Sequence, residues 1–231
     1  MKKIAVFTGA GISSESGLQT FRGKDGLWEG HRVEDVTTPE GWRSDPEMVH
    51  KFYNQRRNAC RKALPNLGHL ALVELEKYAH VEIITQNIDD LHERAGSTRI
   101  LHLHGEIMKA QSARNPQLIY PILSEELTLE DRAEDGARLR PNVVWFGEPV
   151  PNMNLAIQIV KRADILLIIG TSLQVYPAAN LIYEVNSECE IFIIDPNVDT
   201  FEYNFKITPV KGNAAIEVPK WVNSFAEYYS A

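Results

Sequence analysis

The chain has 231 residues, 44% hydrophobic and 24% charged, with a formal net charge of −7 and a pI near 5.5. That length and balance suit one soluble domain, or one domain with a small inserted lobe. The acidic balance speaks against nucleic acid or an anionic membrane as partner, since either asks for a basic patch, and no stretch nears the roughly 18 apolar residues of a membrane span.

The N-terminus, MKKIAVFTGAGISS, places two lysines before a short apolar run that ends at a glycine turn. That run is too short for a signal-peptide core and reads as a first strand, Lys3–Thr8. Further strands are expected at 81–85, 100–103, 143–146, Ile165–Ile169 and 191–194. The runs ILLII and IFII are apolar at every position, as expected of strands buried on both faces. Helical patterns fall at 45–63, 67–79, 89–95, 154–162, 178–185 and Ala214–Tyr229, with Gly96 as the stop of the third. The alternation predicts an α/β fold with a Rossmann-like parallel sheet covered by helices on both sides. Two regions, 24–65 and 110–141, interrupt it and read as a smaller lobe. The large lobe is then 1–23, 66–109 and 142–231, and the whole is a single domain, 1–231. The two cysteines, Cys60 and Cys189, lie far apart and fit a reduced cytoplasm better than a disulfide scaffold.

The first strand runs into Gly9-Ala10-Gly11-Ile12-Ser13, with Gly17 beyond. Glycines at such a turn let backbone N–H groups approach a pyrophosphate. The spacing is not GxGxxG, so dinucleotide binding and a merely tight turn stay equally open. Among seven histidines, His102 and His104 share one strand face, and position alone does not separate them. Tyr53 and Arg56 share a helical face, either as an incidental surface pair or as a carboxylate grip. Val144 and Phe146 alternate on the VVWFGE segment and read as tunnel lining or as ordinary core; Trp145 reads as core.

Five segments occur in order across nearly the whole chain: GAGISSESGLQTFRG (9–23), TQNIDDLH (85–92), LHGE (103–106), VVWFGE (143–148) and GTSLQVYPA (170–178). The set resembles the sirtuins, NAD-dependent protein-lysine deacylases, and more closely their bacterial and mitochondrial branch. The resemblance implies a large Rossmann-like lobe and a small lobe, with NAD as co-substrate and an acylated lysine of a protein meeting in the cleft between them. It implies that Gly9, Ala10, Gly11 and Ser13 approach the cofactor, that Asn87 and Asp89 orient ribose and nicotinamide amide, and that Phe21 shields the reacting carbon from water. Gln86 and Arg22 would position ribose and phosphates, and Gly170, Thr171 and Ser172 the adenosine half. Asp195, where relatives carry asparagine, would accept ribose hydroxyls, and Ala215 joins the same set. His104 falls on the family's base for a ribose hydroxyl, which leaves His102 read as structural. Tyr53 and Arg56 match the Tyr-x-x-Arg of sirtuins that remove succinyl or malonyl groups, with Thr37 in place of a smaller residue, usually alanine. Val144, Phe146 and Gly147 would receive acyl-lysine and its peptide.

The family's four zinc-binding cysteines would lie between HGEIMK and LRPNVVWFGE; here Ser112, Asn115, Arg132 and Asp135 fall in their places. Zinc is therefore expected to be absent. The lobe is expected to hold by packing of Leu118, Ile119, Tyr120, Ile122, Leu123 and Leu127 and by an Arg132–Asp135 cluster. The expectation is a cytoplasmic monomeric deacylase. An ADP-ribosyltransferase or NAD glycohydrolase, and a non-catalytic NAD or ADP-ribose sensing module, are the alternatives.

Overall fold

The computed structural model describes residues 1–20, 27–28, 30–198 and 207–229, so Phe21 and Arg22 lie outside the described residues. β1 (Lys3–Thr8) enters a 3-10 turn, Ala10–Ser16. A short hairpin, β2 (Leu27–Trp28) and β3 (His31–Arg32), precedes α1 (Val33–Val36), α2 (Pro39–Ser44) and α3 (Pro46–Lys62). Then come α4 (Leu67–Leu75), β4 (His80–Thr85), α5 (Leu91–Ala95), β5 (Ile100–His102), β6 (Gly105–Ser112), β7 (Ile119–Pro121) and β8 (Leu139–Val143). α6 (Met153–Lys161), β9 (Ile165–Ile169), a second 3-10 segment (Ala178–Tyr183), β10 (Glu190–Asp195), β11 (Thr208–Lys211) and α7 (Ala214–Tyr229) complete the chain.

Six strands form a parallel sheet in the order β11-β10-β9-β1-β4-β5. The chain runs outward from β1 to β5, returns to the other side of β1 with β9, and runs outward again. That reversal opens a crevice at the C-terminal ends of β1 and β9, where open α/β sheets bind ligands. Alternate residues of each strand feed two cores. Ile4, Val6, Ile165, Leu167 and Ile169 pack with Leu72 and Leu75 of α4 and Val218 and Val222 of α7. Ala5, Phe7, Leu166 and Ile168 pack with Val160 of α6 and with Leu181 and Ile182. The ILLII strand has no polar position because helices cover both faces. Each fully buried Ile or Leu there contributes roughly 1.5–3 kcal/mol relative to exposure.

The helices start where their caps place them. At α3 the Asp45 carboxylate accepts the Met48 N–H, with Pro46 at the first helical position. Its stripe of Val49, Phe52, Tyr53 and Cys60 packs on Ile107, Val143 and Trp145. At α4 the Asn66 side chain accepts the Gly68 N–H, while His69 Nδ1 accepts the Asn66 N–H. Asn66 Nδ2 also donates to the Ile12 carbonyl at 2.7 Å, tying this helix start to the glycine turn.

Several expected boundaries move. The strand expected at 143–146 ends at Val143 and joins a separate antiparallel sheet, ordered β7-β6-β8, instead of the parallel one. VVWF is apolar because Val143 and Trp145 pack under α3, not because a sheet sandwiches them. β6, β7 and β11 mix polar and apolar residues and carry no uninterrupted apolar run. α5 begins at Leu91 because the Asp89 carboxylate turns back to accept the Leu91 N–H. The segment expected as a helix at 178–185 is the 3-10 turn Ala178–Tyr183, and α4 stops at Leu75.

Between β7 and β8, α3 holds the chain with side chains. Asn54 exchanges hydrogen bonds with both backbone groups of Leu127, and Arg57 donates to Asn54 and to the Ile107 carbonyl. Arg61 reaches the carbonyls of Ser124 and Glu125. Ile122 and Leu127 are buried as expected, but Ile119 and Leu123 are exposed by 48% and 90%. Arg132 does not meet Asp135; it donates to the Leu129 carbonyl. Asp135 instead accepts the Ser112 hydroxyl at 2.7 Å and the Ala137 N–H at 2.9 Å. Ser112 Oγ in turn accepts the N–H groups of Arg114 and Asn115, each at 3.1 Å.

Candidate active site

Loops at the C-terminal ends of β1, β4, β9 and β10 meet α3 and the segment after β8 around a cleft of about 540 Å³. That size suits a small-molecule site. The β1 and β9 loops touch directly: the Gly11 N–H donates to the Gly170 carbonyl at 2.8 Å. Gly170 has φ +60°, and a Cβ there would fall 2.5 Å from the Ile12 nitrogen, so only glycine permits the approach.

The turn after β4 carries most of the polar groups. Asn87 Nδ2 donates to the Gly9 carbonyl and to Ser13 Oγ, each at 3.1 Å, which takes up both amide protons. Its side-chain oxygen is then what Asn87 offers the cleft. Ser13 donates onward to Asp89 Oδ2 at 3.1 Å. Burial pushes the Asp89 carboxyl up, against the Leu91 and Ser13 hydrogen bonds and the nearby His102. Gln86 Nε2 donates to Thr171 Oγ1 at 2.9 Å, linking the β4 and β9 loops.

His104 lies where β5 turns into β6 and lines the cleft. Its Nδ1 faces the Gln86 carbonyl at 3.1 Å, and a carbonyl only accepts, so the proton sits on Nδ1 and the accepting nitrogen is Nε2. Burial holds the ring below the ordinary histidine value, partly opposed by the Gln86 carbonyl. It is therefore neutral near pH 7 and able to take a proton. His102 differs: its Nδ1 meets the Asn87 carbonyl at 3.0 Å and its Nε2 the Glu93 carboxylate at 2.7 Å.

On the α3 side, Tyr53 and Arg56, three positions apart on one helix, both line the cleft. Tyr53 is fully buried, and its hydroxyl accepts Trp145 Nε1–H at 3.0 Å, which leaves its own proton to donate. Burial raises the phenol far above its ordinary value, so the proton stays on. Arg56 stacks over the Trp28 ring at 4.4 Å. Thr37 borders the same cleft, with its hydroxyl donating to the Val33 carbonyl at 2.6 Å. Trp145 is buried as expected but also reaches the cleft, with the Arg140 guanidinium 3.9 Å from its ring.

Gly9, Ala10, Gly11, Ser13, Gln86, Asn87, Asp89, Gly170, Thr171, Ser172 and Asp195 all line this one cleft, as do Val144, Phe146 and Gly147. Ala215 lies outside the lining, its N–H donating to the Glu15 carboxylate at 2.7 Å; its neighbours Asn213 and Ala214 line the cleft instead. Gln174 and Tyr176 also line it. Both belong to GTSLQVYPA, of which only the first three residues were assigned a role from sequence.

The Sir2 family model matches residues 9–177. An NAD-dependent protein deacylase of Helicobacter pylori is 54% identical over 196 residues, covering 85% of each chain. One of Aggregatibacter actinomycetemcomitans is 52% identical over 201 residues, covering 87% of this chain and 96% of that one. A solved Sir2 homolog–NAD complex superposes with a TM-score of 0.86 at 36% identity, over 99% of this chain and 91% of that one. The match runs from the glycine turn to Pro177 and takes in the β1, β4 and β9 loops, α3 and the segment after β8; the chain belongs to the Sir2 family.

Proposed function

We propose that the protein is an NAD-dependent protein-lysine deacylase acting on acetyl and acidic acyl groups, with nicotinamide, free lysine and O-acyl-ADP-ribose as products. NAD, when bound, supplies a ribose carbon that becomes electrophilic as its nicotinamide bond breaks, an oxocarbenium-like centre as in glycoside cleavage. The donor set fits such a group: a glycine turn open to phosphate, hydroxyls at Thr171 and Ser172, and the Asn87 oxygen beside Asp89. The observation that carries the reading is His104, a neutral ring whose Nδ1 is fixed by the Gln86 carbonyl so that Nε2 serves as base toward a ribose hydroxyl. In this reading Asn87 and Asp89 orient ribose and carboxamide, Phe21 shields the reacting carbon and Arg22 helps Gln86 place ribose and phosphates. Gly170, Thr171, Ser172 and Asp195 hold the adenosine half, and Val144, Phe146 and Gly147 receive the acyl-lysine segment. The division into a large lobe (1–23, 66–109, 142–231) and a small one (24–65, 110–141), a monomeric state and a cytoplasmic address belong to the same proposal. No helix among the described residues is long and apolar enough to cross a membrane.

Acidic acyl groups fit because Tyr53 keeps its own proton to donate and Arg56 brings a positive charge to the same cleft, while the Thr37 hydroxyl is already bound to Val33. The test incubates protein and NAD with matched acetyl-, succinyl- and malonyl-lysine peptides, read by mass spectrometry. Deacylated peptide with O-acyl-ADP-ribose supports the reading. Nicotinamide release without deacylated peptide overturns it in favour of a glycohydrolase, and ADP-ribosylated protein in favour of a transferase.

We also propose that the fold needs no zinc, although the family's ribbon implies one. Zinc asks for four thiolate or imidazole ligands in a tetrahedron, whereas the positions hold Ser112, Asn115, Arg132 and Asp135. Ser112 and Asp135 bond each other, and that bond holds the Asp135 carboxyl below its ordinary value. No group of three or more His, Cys, Asp or Glu suited to a metal occurs among the described residues. A chelator is expected to change neither melting temperature nor turnover, because structural zinc contributes folding free energy and its removal unfolds such lobes. Stoichiometric zinc in tag-free protein, removable only with loss of fold, would overturn this.

A further inference from the structure

His102 and His104 stand two residues apart, and their Nδ1 atoms meet consecutive carbonyls, those of Asn87 and Gln86. Carbonyls only accept, so both rings carry a proton on Nδ1. The difference lies at Nε2. In His104 that nitrogen is the accepting one of a ring lining the cleft, whereas in His102 it lies 2.7 Å from Glu93 Oε1. An ionised carboxylate also only accepts. Both nitrogens of His102 therefore face acceptors, and the ring satisfies both only as an imidazolium. The Asn87 carbonyl it holds belongs to the turn whose side chains, Asn87 and Asp89, reach the cleft. Asn152 Nδ2 donates to the His102 backbone carbonyl at 2.8 Å, so the residue is held at its backbone as well as at both ring nitrogens.

We propose that His102 is a positioning residue that works as a cation: braced by Glu93, it holds the Asn87 carbonyl and thereby sets the Asn87–Asp89 turn against the cleft. This rests on the deacylase reading of the same site. The charges facing His102 agree with it. Glu93 of α5, Glu106 of β6 and Asp89 in the turn are acidic neighbours, Lys109 pairs with Glu106, and His92 lies behind as a buried neutral ring. Burial by itself would lower His102, but the Glu93 hydrogen bond and charge carry it above the ordinary histidine value. Burial likewise acts to raise Glu93, and its bond to His102 brings it below the usual range.

The two histidines thus titrate on opposite sides of 6.5. Turnover is lost as pH falls through the His104 value, because the base becomes protonated. It is lost again as pH rises through the His102 value, because the bare Nε2 lone pair then faces the Glu93 carboxylate. Such pairs, pushed apart by their surroundings, mark acid and base roles.

The test is Glu93→Gln, whose amide N–H donates to His102 Nε2 and leaves a neutral ring still bonded to Asn87. Ring nitrogen NMR near neutral pH should show both His102 nitrogens protonated in the wild type and only Nδ1 protonated in the variant. With acetyl-lysine peptide, kcat of the variant should fall by about tenfold or more, since small misplacements at a reacting centre carry large rate effects. Its alkaline limb should vanish while the acid limb stays and KM for NAD changes little. A merely structural His102 predicts an unmoved pH profile. A bare ring nitrogen in wild-type protein, or a variant with unchanged kcat and alkaline limb, overturns the proposal. The NMR signals report the charge state even if wild-type protein cleaves no peptide, so failure of the deacylase reading is told apart from failure of this one.

Discussion

A His104→Ala protein is expected to lose acyl-lysine cleavage while still binding NAD. The ring is the neutral acceptor in the cleft, whereas the glycine turn and the Thr171–Ser172 loop that would hold the cofactor are positioned by other bonds. Loss of a general base typically lowers rate by about 10²–10⁴-fold. The substitution frees the Gln86 carbonyl, but at a cleft wall where water replaces the lost donor, so the fold should survive. Calorimetric NAD binding near the wild-type affinity, together with single-turnover rates at background, is the expected pair of results. Wild-type-like turnover would remove His104 from the mechanism.

Arg56→Met is expected to raise KM for a succinyl-lysine peptide by roughly 10- to 150-fold, the equivalent of a charge-assisted hydrogen bond worth about 1.5–3 kcal/mol. KM for the acetyl peptide should move far less, since an acetyl group offers no carboxylate. Methionine keeps an apolar stem against the Trp28 ring, which limits the packing loss at this buried position. Equal weakening of both substrates would make Arg56 structural. A wild-type protein that never cleaves succinyl peptide would mean that the pocket is closed, with Thr37 the residue at fault.

How far the chain could be read depended on where each residue finds its partners. ILLII was legible because burial on both faces leaves no polar position, and the Tyr53–Arg56 pair because helical spacing alone puts them on one face. VVWF looked the same as ILLII, but its burial comes from α3, roughly a hundred positions earlier in the chain, which no local pattern reports. The strands of the small sheet are mixed in polarity, β7 and β8 are short, and their pairing is set by β6 meeting β8 across a long connection. In the site, Asn87, Asp89 and His104 could be named because they fall in TQNIDDLH and LHGE, two of the segments that carry the resemblance to the sirtuins. The role of His102 could not, since its Glu93 and Asn87 partners come from α5 and the β4 turn. Nor could the Ser112–Asp135 bond, whose members lie 23 residues apart, Asp135 being expected to meet Arg132 instead.

That bond has a consequence for life under oxidative stress. Ribbons built on zinc thiolates are vulnerable to peroxide, because thiolates climb an oxidation ladder and release their metal. A serine hydroxyl and a carboxylate have no such ladder. Of the two cysteines in the chain, Cys60 is buried on the inner face of α3, and burial pushes the Cys189 thiol up to about 11, far from the reactive thiolate form. On the zinc-free reading proposed above, a lobe clasped by oxygen atoms should stay folded, and deacylation should persist, when peroxide or a chelator is added.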